Sequence, residues 1–218
     1  MIKEGRGKMA KNIKTIIVND WLNLFPCLKK YSRVECLNLL GPLITGIYIK
    51  IIGNEVYTPV FFVHNLCREV PFLTLSMVVE GETILFSEHE KKYVEAGMKM
   101  KKNIYFPLEG DINFEQIFEG YKRNFQWPYK SSFIEYEDLL FISGWTGKAE
   151  LVEENLKFVY DELKPYREHK YFVVRGGFDT WFKAVASRAE DTDGLRKTFE
   201  SESEKHKTSK LPVRQIII

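Results

Sequence analysis

An α+β domain, an antiparallel β-sheet of about four to six strands packed against several α-helices, is the architecture this sequence predicts, on three observations. Residues 43–79 are rich in β-branched and aromatic side chains broken by turn residues. Apolar residues at helical spacing dominate elsewhere, most clearly in residues 148–164. The composition, 44% hydrophobic and 28% charged, is that of a chain able to bury a core.

The strand signals come first. Residues 43–52 and 56–65 flank Gly53 and Asn54, a pairing that predicts a β-hairpin. A third strand is expected over residues 71–80, with Leu73, Leu75, Met77 and Val79 on one face and Thr74 and Ser76 on the other. The Glu80-Gly81-Glu82 turn then leads towards residues 83–86, which suggests an antiparallel meander.

The helices follow from period and stops. Val152, Leu156, Val159, Tyr160 and Leu163 share one face, and Pro165 ends that helix. Further helices are expected over residues 88–102, over 113–123 with Phe114, Ile117, Phe118 and Tyr121 inward, and over 180–189 behind an Asp179 cap. Residues 171–174 read as a short strand. Residues 13–24 fit a helix through Ile16, Ile17, Trp21 and Leu24, although Ile16 to Val18 also suits a strand.

No repeat and no Pro/Gly/Ser linker divides the chain. The expected organisation is a basic N-terminal arm over residues 1–11, one domain over 12–190, and a polar, loosely attached tail over 191–218. Cys27, Cys36 and Cys67 are odd in number and too few for a disulfide framework, and the chain has no Asn-x-Ser/Thr acceptor and no apolar leader. Reduced thiols and a soluble, cytoplasmic protein are expected. The longest apolar stretch, residues 37–52, is too short and broken to span a bilayer, so no membrane partner is expected.

A formal charge of +2 is too mild to argue for nucleic acid. The basic clusters are terminal: the N-terminal arm, and Lys205, Lys207, Lys210 and Arg214. Solvated tails are the simpler reading of both.

The motifs fail on spacing or context. Gly144-Trp145-Thr146-Gly147-Lys148-Ala149 has two residues between its glycines where a phosphate-binding P-loop needs four, and Ala149 where magnesium needs a hydroxyl. It reads as a turn that starts the long helix. Gly5-Arg6-Gly7-Lys8-Met9-Ala10 lacks the preceding strand of a dinucleotide site. Arg175-Gly176-Gly177-Phe178-Asp179 aims backbone N–H groups at a helix start beside an arginine, but the Asp179 carboxylate competes for them and repels an anion. Glu162-Leu163-Lys164 falls at the end of a helix, where the Glu-x-Lys of restriction-type nucleases needs a strand. Glu135, Glu137 and Asp138 read as a solvated edge. Cys27 and Cys36 with His64 and Cys67 lack the close pairs of a zinc site, so neither metal nor cofactor is expected.

Two leads remain for function. Phe125, Trp127 and Tyr129 crowd a segment without periodicity, and such rings often anchor protein interfaces. They point to a protein-binding module, an inhibitor or an immunity-type protein that neutralises a toxin. The alternative is an enzyme with a site assembled from Arg175, Asp179, His64 and Cys67, and the third reading is a nucleic-acid binder using the basic termini.

Overall fold

Between Glu35 and Asn65 the chain lays down three strands in succession, β2 (Glu35–Leu40), β3 (Leu43–Ile52) and β4 (Val56–Asn65). In the computed structural model, which describes residues 3–125 and 133–218 with side chains from residue 13 onward, the chain divides into two units. Residues 1–64, 74–117 and 210–217 form the first, and residues 65–73, 118–209 and 218 the second. The architecture is α+β.

The first unit is the sheet. Its main path runs β1-β2-β3-β4-β5, with β1 (Lys29–Lys30) and β5 (Ser76–Glu80) at the ends, and β6 (Ile84–Leu85) also pairs with β4. Gly53, at φ +62, makes the turn of the β3–β4 hairpin at the position the sequence marks for it. Helix α1 (Lys3–Leu24) and helix α2 (His89–Asn103) lie on the sheet face that carries Cys36 and Tyr57. They cross closely at Gly97, where an added Cβ would stand 2.1 Å from Leu24 Cδ2. The expected arm is therefore, from Lys3 onward, the start of a helix, and the ambiguity over residues 13–24 resolves the same way because Ile17, Val18 and Trp21 are buried together.

The third strand departs from its expected pattern. Only Ser76–Glu80 pairs, with a register shift against β4 between Phe61 and Val63 and with Met77 at φ +49. A bulge of this kind re-aims the side chains on either side. Leu75 is consequently 47% exposed although alternation assigned it to the core. Thr74 instead hangs on His64, donating its N–H to Nδ1 at 3.0 Å.

The C-terminal segment is part of this unit and not a tail. β8 (Val213–Arg214) pairs parallel with β2, and β9 (Ile216–Ile217) pairs parallel with β7 (Ile112–Asn113). Arg214 is buried and donates to the carbonyls of Gly110 at 2.6 Å, Pro107 at 2.9 Å and Glu109 at 3.3 Å. Those bonds fix a turn more than 100 residues earlier, a tie that the polar composition of the segment conceals.

The second unit is helical and is organised around α4 (Ile134–Thr146), which packs against α5 (Ala149–Leu163), α7 (Phe178–Glu190) and α8 (Thr192–Lys205). Tyr136 through Gly144 are all buried, the pattern of a helix enclosed on every side. Helix α3 (Phe114–Phe125) begins in the first unit and continues into the second. Gly147, at φ +76, ends α4 and hands the chain to α5, so the glycine-lysine motif is a turn. Helix α8 lies wholly beyond the expected boundary at residue 190, with Leu195 fully buried and Asp191 accepting from the Gly194 N–H at 2.9 Å.

Two local expectations are corrected here. Residues 171–174, expected as a strand, fall mostly in the short helix α6 (Lys170–Val173), where His169 accepts from the Tyr171 N–H and Phe172 is fully buried. Capping and packing outweigh the β preference of Tyr-Phe-Val-Val. The cap of α7 is Gly177 at φ +98, while Asp179 sits inside the first turn with an exposed side chain.

At Gly144 α4 lies close against the end of α7. A Cβ there would lie 2.0 Å from the Ala189 carbonyl oxygen and 2.6 Å from Leu195 Cδ1. Gly144→Ala is expected to cost about 1–3 kcal/mol by forcing the helices apart, read as a drop in the denaturation midpoint. An unchanged midpoint would contradict the close packing.

Candidate functional site

The acidic cluster at the start of α4 turns inward. Glu137 is 9% and Asp138 1% exposed, where the sequence suggested a solvated edge. The reason is Arg68, in the connection between β4 and β5. Its guanidinium donates Nη2 to Glu137 Oε2 at 2.6 Å, Nε to Asp138 Oδ1 at 2.5 Å, and Nη2 again to the Ile134 carbonyl at 3.0 Å. Nothing in the sequence around Arg68 marks it, because its partners stand about 70 residues away.

The two acids offer more acceptor sites than one guanidinium meets, and neutral donors take others. Glu137 Oε1 accepts from Tyr171 Oη at 2.8 Å and from Trp181 Nε1 at 2.7 Å. Asp138 accepts from Asn65 Nδ2 at 3.2 Å, and Asn65 Oδ1 takes the Cys67 N–H at 2.9 Å. Burial and the adjacent Glu137 push the Tyr171 phenol upward, so it stays protonated and donating. The cluster is closed on itself and acts as a clamp on α4, α6 and α7.

Tyr171 carries the clamp outward. Its ring supports Arg175, whose guanidinium carbon lies 3.7 Å from the ring centroid and whose Nη1 donates to the Tyr171 carbonyl at 2.9 Å. Beside it Val173 is 58% and Val174 76% exposed, and Tyr166 is also exposed. Gly176 and Gly177, both at positive φ, turn the chain back after this tip. An exposed pair of valines beside an arginine held on a tyrosine ring is thus mounted on a buried ionic anchor.

The other candidates fall as follows. Arg175 and Asp179 are both exposed in the second unit, and Asp179 faces Arg167 at 3.6 Å. Cys67, also in the second unit, is 2% exposed, and burial followed by Asp138 pushes its thiol well up. His64 is buried in the first unit on Thr74. Cys36 is pushed up to about 12 by burial, and burial, then Glu109, raises the Cys27 thiol as well. A nucleophilic thiol needs the opposite shift. Phe125 is buried and stacked on Tyr136 at 3.8 Å, which makes it core and not an interface ring. Trp127 and Tyr129 lie outside the described residues.

Among the described residues no group of three or more His, Cys, Asp or Glu is placed to hold a metal ion, and no helix is long and apolar enough to cross a membrane. Family models, curated proteins and solved structures offer no match to this chain. A recess of about 430 Å3 at the α4–α5 turn is lined by Lys148 of the glycine-lysine motif and by Val152, Glu153, Leu156, Glu190 and Thr192 among others, and its lining includes none of Arg175, Asp179, His64 and Cys67.

The first unit holds a polar chain of its own. Trp21 Nε1 donates to Tyr57 Oη at 3.3 Å, Tyr57 Oη lies 2.7 Å from His89 Nδ1, and His89 Nε2 lies 3.0 Å from Asp20 Oδ2. Because indole can only donate, the Tyr57 hydroxyl is the acceptor of the Trp21 bond. Tyr57 is fully buried and its phenol is pushed up to about 12 by burial. This Asp-His-Tyr series ties α1 and α2 to the sheet.

The burial of the thiols sets an expectation. In the native protein at pH 8 a thiol reagent should modify Cys27 alone, at a rate below that of an unhindered thiol, with Cys36 and Cys67 reacting only on unfolding. Fast modification of Cys67 in the folded state would reopen it as a nucleophile.

Proposed function

We propose that this chain is a protein-binding module that acts through the tip formed by residues 166–175, in the manner of an inhibitor or an immunity-type protein that occupies and neutralises a toxin. The observation that carries the reading is the exposure of Val173 and Val174 beside Arg175 on Tyr171. Tyr and Arg are the residue types that most often dominate binding energy, and a pre-ordered surface loses little entropy on docking. This reading takes the interface to lie on α6 and the turn after it, while Trp127 and Tyr129 of the aromatic segment lie outside the described residues.

The two other readings find less support. For an enzyme, Arg175 and Asp179 stand on open surface, and Cys67 is a buried thiol with its acidity suppressed. For a nucleic-acid binder, the C-terminal basic cluster is partly spent: Lys205 pairs with Glu202 at 3.0 Å, and Arg214 is buried on backbone carbonyls.

Affinity capture with the tagged protein from lysate of its native source, run beside a Val173→Asp/Val174→Asp double variant, tests the reading. A stoichiometric protein retained by the wild type and reduced about tenfold or more by the variant is expected, with the denaturation midpoint little changed because both side chains are exposed. Elution of the wild type alone, or equal retention by both, would overturn it.

A further inference from the structure

The chemistry of the tip narrows the partner, on the assumption that the tip is the binding surface. Residues 164–175 carry Lys164, Arg167, Lys170 and Arg175 against Glu168, a formal +3, and Asp179, which faces Arg167 at 3.6 Å, brings the balance of this surface to +2, as much as the whole chain carries. All six of these side chains are exposed. Within this basic field Val173 and Val174 offer two branched aliphatic side chains, and Arg175 offers a guanidinium held by the Tyr171 ring and carbonyl.

We infer that the tip docks on a protein surface that is acidic and has an apolar recess: carboxylates for Arg175 and its basic neighbours, and a hollow for Val173 and Val174. Charge complementarity of this kind steers association and excludes like-charged surfaces. A guanidinium held in a fixed orientation suits a carboxylate, which it meets with two parallel hydrogen bonds. A phosphate backbone would satisfy the charges and leave two valines against water. A fluid lipid headgroup layer would accept the valines and make no use of the fixed fork.

The probes are a synthetic peptide alternating glutamate with leucine, the same peptide with lysine for glutamate, vesicles of phosphatidylserine with phosphatidylcholine, and a short DNA duplex. Each is titrated into the full 15N-labelled chain, and amide shifts are followed. The expected result is saturable perturbation of residues 164–175 by the glutamate peptide only, lost in the Val173→Asp/Val174→Asp variant and weakened several-fold by added salt. Perturbation by both peptides, by neither, or elsewhere on the chain would overturn the inference, as would stronger binding to vesicles or duplex. Failure here alongside a captured protein that depends on Val173 and Val174 removes the acidic partner alone, whereas failure of that capture removes the interface itself.

Discussion

The contact between Arg68 and the paired carboxylates Glu137 and Asp138 is the constraint on which the second unit depends. Separating an arginine from two buried acids leaves uncompensated charge in a poorly solvated interior, a cost of about 3–5 kcal/mol for a pair of this kind. Everything nearby is arranged to avoid it. Asn65, Tyr171 and Trp181 donate to the acids as well, and the Ile134 carbonyl takes a further guanidinium N–H. The connection over residues 65–73 is held a second time at Val70, whose N–H meets Glu202 at 3.5 Å and whose carbonyl accepts from Lys205 Nζ.

The same constraint gives the proposed function its physical basis. A four-residue helix has no stability of its own, since nucleation fixes several residues for a single hydrogen bond. Helix α6 persists because Phe172 is buried against Trp181 and Phe178 and because Tyr171 is tied to Glu137. The exposed valines and Arg175 therefore sit on an element held from beneath, so that ordering them costs little at the moment of binding.

Legibility in the sequence tracked the range of the interactions. Helix α5 was plain because Val152, Val159 and Leu163 repeat at its own period, and the β3–β4 hairpin because Gly53 must adopt a left-handed turn. What the sequence hid was long-range. Tyr171 and Phe172 look like strand residues until Glu137 and Trp181 are placed beside them, and Glu137 and Asp138 look solvated until Arg68 arrives. Residues 191–218 look like a tail because the contacts of Leu195 and Arg214 lie far off in the chain. The candidate site was missed for the same reason. Its one local signal is Arg175 beside two glycines, an arrangement that suits an anion until Asp179 is counted, and the exposure of the valines carries no sequence mark.

The central claim is that the buried acid Glu137 holds the proposed binding tip through Tyr171. Amide hydrogen exchange over residues 169–177, compared between the wild type and Tyr171→Phe, tests it most directly. The substitution removes one hydrogen bond to a charged group, worth about 1.5–3 kcal/mol, while keeping the ring under Arg175. Protection in that segment should fall by about tenfold or more, with α4 and α5 little affected. Unchanged protection of residues 169–177, or an equal loss throughout the second unit, would contradict the account.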